Sequence, residues 1–598
     1  MLACLEVFFF QVQLKSLDLK SNFLSPGDSH TLCSAGDPLD EKRNTIDRSI
    51  ARLEESIRAL KSRRNELSPI SRLPVEILCN IFKFSEGRAR RPDSWTNYSQ
   101  VSQHWRTSAL NAPELWTNIP LDYPRWAQEM LIRSKMANLT IRSKPSLKES
   151  AIETVKSCLY EMKRVEKIDF TAIPVFMLEE IFRDFPKSAP QLHTLCIRPH
   201  ATGPAFSIDD DLLYDTENLR RVELINCVIN WDSRLLTGLT RLNLQVSLKA
   251  NSSIIQVLQA LQRMPALTNL DLEDSIPNDL AGLLTYPVVD LPCLRALNVS
   301  SGVHALTTFL RHITFPNSAL LNLTCEGKRS TQIDFPSFFS VLVTKFLSTL
   351  VIRSLSLRDL NYEQTHGFKF YLWTTASIQE CFPFSQILPT QLQLVMTWPS
   401  SHFPSHDKAL TCAFDAMGLP FLTQLQIFGL DYIDSQTWVK TFGKLPLLER
   451  VCLQSSAQSS FLEALVYKSN AAEKSKTAYL NVSFPKLRHL HLGEANFFNS
   501  SIDMLLDCLM ERCERNAEIH TLRLDECSYL SADDVALLEE IVVDVDWDEI
   551  EQGFSGSDED SEEHHSVGNA RDIYDDDDVD DDSEVDWTPS ASGLEIFW

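Results

Sequence analysis

"MPALTNLDLEDS" (Met264–Ser275) has a proline at its second position and two acidic residues just before its last. Between them Leu267, Leu270 and Leu272 follow an apolar-x-x-apolar-x-apolar spacing. Leu270 and Leu272 stand two apart, the period at which a strand buries one face, so Asn269, Asp271 and Glu273 fall on the other. The spacing recurs as "VEKIDF" (165–170), "LHTLCI" (192–197), "LRRVEL" (219–224), "LTRLNL" (239–244), "LRALNV" (294–299), "IRSLSL" (352–357), "LTQLQI" (422–427), "LERVCL" (448–453), "LRHLHL" (487–492) and "IHTLRL" (519–524). The first six copies start 27, 27, 20, 28 and 27 residues apart. Later gaps lengthen and include degenerate units near "ALLNL" and "QLQLVM". Many copies follow a proline by one to three residues, as in "LPCLRAL" and "FPKLRHL". Segments of helical period lie between copies, such as "SIIQVLQALQRM" and "SIDMLLDCLMERC".

A strand-plus-helix unit of this length resembles the leucine-rich repeat, whose stacked neighbours bury what one unit cannot. The resemblance implies an α/β leucine-rich-repeat solenoid over residues 131–545. An ordinary α/β domain would also alternate strands and helices, and the number of copies is what favours repeats. The outward x positions then become candidate target-binding residues: Arg221, Glu223, Arg241, Asn269, Asp271, Gln424, Phe428, His489, His491 and Arg523. They mix charges and amides without a Lys/Arg cluster, which suits a protein partner and excludes a nucleic-acid footprint. His489 and His491 share one strand face, but no third metal ligand stands nearby. No HExxH, nucleophile elbow or Gly-rich phosphate loop occurs, so the reading is of a non-enzyme without metal or cofactor.

Upstream, "ISRLPVEILCNIFKF" (Ile70–Phe84) is a short, very apolar helix in polar surroundings. Ser71 is placed to cap it and Pro74 suits its first turn. Leu73, Ile77, Leu78, Ile81 and Phe82 are expected as an exposed row. A loop including Glu86–Pro92 leads to a second helix carrying Val101, Trp105 and Leu110, and Pro113 starts a turn ending on Leu115 and Trp116. So small a unit cannot bury all these side chains, which implies a partner. "LPVEILCNIF", "VSQHWR" and "PELW" resemble the F-box, in particular the F-box-like domain of many mushroom-forming fungi. That resemblance implies docking on the S-phase-kinase-associated adaptor of SCF-type cullin–RING ubiquitin ligases, and on the cullin through it. Leu73, Pro74, Ile77, Leu78, Ile81, Phe82, Val101 and Trp105 would form or support the adaptor-binding face. The chain departs from the general pattern at Ser102 and in the basic, proline-containing loop.

Residues 39–68 place Ile46, Ile50, Leu53, Ile57, Leu60 and Leu67 at spacings of four and three, with Arg64 interrupting. This reads either as a short coiled coil, giving weak self-association through 46–67, or as an amphipathic helix packed on its own chain. Residues 1–38 show no period and are expected to be poorly ordered. The net charge of −25 is concentrated at the other end: residues 541–598 hold 21 Asp/Glu and one basic residue, leaving −5 for the first 540. The segment 546–598 is therefore read as a disordered acidic tail. Fourteen scattered cysteines without a CxxC pair point to a reducing compartment. No apolar run approaches the roughly 20 residues of a membrane span, so the expected location is cytoplasmic or nuclear.

The fold expected is α+β overall: a small all-α F-box-like three-helix domain over 69–121, the α/β solenoid, and the disordered tail. The function expected is a substrate receptor of an SCF-type ligase, binding a target protein on its repeats. The alternative is a leucine-rich-repeat scaffold without a ubiquitin-ligase role.

Overall fold

The prolines that precede the copies have a structural cause. In each case the leucine that opens the copy donates its N–H to the carbonyl three residues back. Leu192 bonds Ala189, Leu267 bonds Met264, Leu294 bonds Leu291, Leu422 bonds Leu419 and Leu487 bonds Phe484, at 3.1–3.2 Å. Pro190, Pro265, Pro292, Pro420 and Pro485 occupy the second position of these turns. There a fixed φ near −65° is already the one required, and no N–H is needed. The chain leaves each turn directly into a strand.

The computed structural model describes residues 38–86, 98–121, 123–143, 147–183, 185, 187–210, 212–246, 253–277, 286–327, 334–360, 365–376, 390–399, 406–430, 433–454, 458–466, 482–498 and 501–553. They fall into two compact units. The first runs to Val351 and adds Leu360–Thr374 and residues 390–399; the second holds Ile352–Asp359, residues 375–376 and those from 406 onward.

In the first unit ten strands pair in parallel, in this order: Asn118–Pro120, Leu139–Arg142, Val165–Ile173, Thr194–Pro199, Arg221–Val228, Arg241–Val246, Asn269–Glu273, Ala296–Gly302, Leu320–Glu326 and Leu392–Pro399. The registers align the fourth position of successive copies. Leu195, Val222, Leu242, Leu270, Leu297, Leu321 and Leu392 make one buried column across seven strands. Burying each such side chain contributes roughly 1.5–3 kcal/mol. Helices return the chain between strands. Ile254–Gln262 buries Ile254, Val257, Leu258 and Leu261, and the Gln256 side chain accepts the N–H of Ser253 at its start, at 3.1 Å. One strand departs from the pattern: Thr365–Trp373 lies antiparallel on Leu392–Pro399.

The second unit repeats the parallel arrangement with Ser354–Asp359, Gln424–Phe428, Arg450–Gln454, His489–Gly493, Thr521–Asp525 and Asp544–Trp547. Leu355, Leu425, Val451, Leu490 and Leu522 are its buried column. Its interior also contains a cation. Arg512, on the helix Ser501–Glu514, is fully buried and donates to the carbonyls of Leu465, Ser483, Phe484 and Ala517 at 3.0–3.3 Å.

Two expected boundaries move. Residues 546 and 547, assigned above to the tail, belong to the strand Asp544–Trp547, and Tyr529 donates its N–H to Gln552 O at 2.7 Å, so ordered backbone runs to 553. The rest of the tail, and residues 1–37, lie outside the described residues. The F-box-like stretch does not end before the sheet begins either: Asn118–Pro120, inside 69–121, is the sheet's first strand.

The register gives a direct test. Leu270→Asp puts a carboxylate into the buried column and should cost roughly 3–5 kcal/mol. Asp271→Ala, one residue on, should change stability by about 1 kcal/mol or less. Equal losses in thermal melts would contradict the alignment.

Candidate protein-interaction site

The helix α1 (Pro38–Glu66) ends in a 3-10 turn, Pro69–Arg72, which hands the chain to α2 (Val75–Glu86). Ser71 does not cap α2 as expected. Its Oγ donates back to Asn65 O at 2.6 Å and ties the turn to the end of α1. The first bonds of α2 go instead to Pro74, whose carbonyl accepts the N–H groups of Ile77 and Leu78 at 3.0 and 3.1 Å. Proline is well suited there, because its missing N–H would have no helical partner.

Helical geometry then divides the apolar residues of α2. Leu78, Cys79 and Phe82 point inward and are buried. Phe82 stacks on Tyr98 with ring centroids 5.8 Å apart and packs on Trp105 at 5.3 Å. Trp105 belongs to α3 (Gln103–Leu110), whose N-cap is Ser102: its hydroxyl accepts the Trp105 N–H at 3.2 Å. The departure from the family pattern at Ser102 thus acts as a cap. A closing turn, Pro113–Trp116, buries Leu115 and Trp116, and Trp116 Nε1 donates to Ala109 O at 2.9 Å. Burial pushes up the Cys79 thiol, with nearby Glu114 adding to the effect, so this cysteine serves packing.

The expected row of five is therefore two sets. Ile77 and Ile81 stay exposed at 45% and 37%, and Val75 and Phe84 join them on α2. Val101 is exposed, Pro74 is exposed and Leu73 is half-buried. Leu78, Phe82 and Trp105, assigned above to the docking face, are core: they support the face from beneath. Ile77, Ile81 and Phe84 stand at i, i+4 and i+7 and form their own stripe, offset by one residue from the buried pair Leu78 and Phe82. Val75 and Phe84 were missed, although the same periodicity contains Phe84. The loop expected over Glu86–Pro92 lies, from residue 87, outside the described residues.

Residues 70–121 match the F-box-like family. This segment is an F-box-like domain. It covers 52 of the 598 residues, and a search of curated proteins finds no match to the chain. An F-box-like domain supports a role in protein–protein interaction, including binding of an adaptor such as the S-phase-kinase-associated protein.

The candidate target-binding residues beyond the F-box-like domain share sheet faces. Arg221, Arg241 and Asn269 are register neighbours, as are Glu223, Asn243 and Asp271. Not all are open. Glu223 is buried between Arg198, at 2.7 Å, and Arg221, at 2.9 Å. Burial alone would raise its carboxyl, but the two guanidiniums outweigh it and hold the group below the usual range. Asp271 accepts a hydrogen bond from Asn298; burial raises its carboxyl against that bond. In the second unit Gln424 accepts from Ser354 Oγ at 3.2 Å, and the Arg358 guanidinium lies over the Phe428 ring at 5.0 Å. His491 places Nε2 at 2.8 Å from an Asp525 carboxylate oxygen, without the alignment of a hydrogen bond, and Nδ1 at 3.3 Å from Cys452 Sγ. His489 sits beside it with its imidazole pushed down by burial and by Arg450. Arg523 bonds Asp525 at 2.8 Å. Among the described residues no group of His, Cys, Asp and Glu could hold a metal ion, and no helix is long and apolar enough to cross a membrane.

Glu223 gives a pH prediction. A carboxyl depressed on folding contributes stability above its unfolded value, near 4.3, and loses that contribution as pH falls through the folded value. Glu223→Gln should therefore lower the melting temperature at neutral pH and flatten its decline below about pH 4. Parallel acid profiles for both proteins would show the ion triad to be energetically silent.

Proposed function

We propose that this chain is the substrate receptor of an SCF-type cullin–RING ubiquitin ligase. The observation that carries the reading is the F-box-like domain with Ile77, Ile81 and Phe84 exposed over a core of Leu78, Phe82 and Trp105. Apolar side chains held out by a rigid aromatic core suit a docking face for the adaptor, and the cullin is reached through the adaptor. The parallel strands are read as irregular leucine-rich repeats of a solenoid, resembling those that follow the F-box in fungal proteins of this type. Their outward residues, among them Arg241, Asn269 and His489, would hold the target. Receptor action of this kind makes no bond itself: it raises the effective concentration of target lysines near a conjugating enzyme held elsewhere in the ligase. The setting is cytoplasmic or nuclear, where such ligases work.

The test is purification of the tagged full chain with its partners. Adaptor and cullin recovered together, with ubiquitin transfer to a co-purifying protein, are the expected result. Adaptor without cullin, or neither, would favour a repeat scaffold with no ligase role.

A further inference from the structure

The helix α1 carries a seam that the described residues leave in solvent. Ile46, Ile50, Leu53, Ile57 and Leu60 are 47–66% exposed. Burial of such a row on the chain's own body, one of the two readings of the sequence, does not occur among the described residues. We propose that the seam is covered by the α1 of a second copy of this chain, as a parallel, in-register two-stranded coiled coil.

Three features select this occupant. The spacing sets a heptad frame with Ile50 and Ile57 at position a and Leu53 and Leu60 at position d, the combination that favours two parallel strands. In the same frame Lys42 falls at g and Asp47 at the following e, so each copy's Lys42 meets the partner's Asp47. The other central g positions, Ser49 and Ser56, are neutral and repel nothing. Reversing one helix about the same four core residues would bring Glu54 against the partner's Glu54 and Asp47 against the partner's Lys61, so the parallel choice rests on the Ile-at-a, Leu-at-d core. Arg43 and Arg64 fill the outer a positions. Their stems can cover the seam while the guanidiniums reach water, which limits stability but fixes register and strand number.

The pairing has a consequence for the F-box-like domains. Ser71 Oγ, at 2.6 Å from Asn65 O, fastens the turn before α2 to the last turn of α1. Parallel pairing therefore puts the two α2 helices at the same end of the coil.

The experiment is the solution mass of the full chain by light scattering and sedimentation. A species of twice the 68.0 kDa chain mass is expected at micromolar concentration. Ile50→Asp/Ile57→Asp should yield the monomer with an unchanged melt, because both residues are exposed and support no core. Lys42→Glu should weaken the dimer roughly fivefold through two lost pairs, and Lys42→Glu/Asp47→Lys should restore it. A monomer up to about 100 µM chain overturns the proposal, as does a dimer indifferent to the seam substitutions. Failure of the double charge swap to restore the dimer overturns the parallel register.

Discussion

Ile77→Ala/Ile81→Ala is expected to cut adaptor capture by well over tenfold while leaving the melting curve in place. Both side chains are exposed on α2, so their truncation opens no cavity in the fold. At a protein interface the same truncation removes apolar anchors, each worth about 2–4 kcal/mol when it is a hot spot. The control is one residue away. Phe82→Ala removes a fully buried ring that contacts Tyr98 and Trp105, and it should cost about 3–5 kcal/mol of folding stability. Binding assays and melts on the two variants separate surface from core. Undiminished capture by the isoleucine variant would remove the docking face as assigned. A large melting shift would mean that Ile77 and Ile81 belong to the fold.

The second large effect is expected at Arg512. Its guanidinium spans carbonyls from three separate segments, those of Leu465, of Ser483 and Phe484, and of Ala517. Burial lowers its pKa to about 10, so it remains a cation at neutral pH. Carbonyl dipoles, not a carboxylate, compensate that charge among the bonds it makes. Arg512→Leu fills much of the volume but removes this donor from the carbonyls of Leu465, Ser483 and Ala517, while Phe484 O keeps the Leu487 N–H; each carbonyl left unpaired costs about 1–3 kcal/mol if water cannot enter. Such losses are not additive, and a net cost of about 3–5 kcal/mol is expected in chemical denaturation. Arg512→Lys should recover little, since one ammonium cannot reproduce the planar fork. A loss under about 1 kcal/mol would indicate that water replaces the guanidinium.

Much of this was legible in the sequence. Leu267, Leu270 and Leu272 announce a strand because their spacing is the spacing of a buried strand face, and Pro265 marks the turn before it. The antiparallel strand Thr365–Trp373 was not legible: its alternation lacks the turn and the opening leucine by which the others were found. Arg512 was illegible for a related reason, since an arginine in a helix reads as solvent-facing until the carbonyls around it are seen. In α2 the apolar residues were found but not sorted. Ile77 and Leu78 are equally apolar, and only the packing of α2 on the rest of the domain decides which one is inside. The strand Asp544–Trp547 was hidden by its aspartates, which fall at alternate positions, Asp544 and Asp546, and so are compatible with pairing.

The strand Asn118–Pro120 bears on how the F-box-like domain can be handled in the laboratory. A fragment ending at residue 121 would keep this strand and lose its neighbour, Leu139–Arg142. It would present unpaired N–H and C=O groups beside the now bare Ile119, the kind of edge on which chains aggregate. Trp116 would be affected too, because the Arg133 guanidinium that lies 4.5 Å over its ring and Trp126, 5.7 Å away, both come from beyond the cut. Minimal fragments for adaptor work should therefore extend through Arg142, so that the strand keeps its partner and Trp116 its cover.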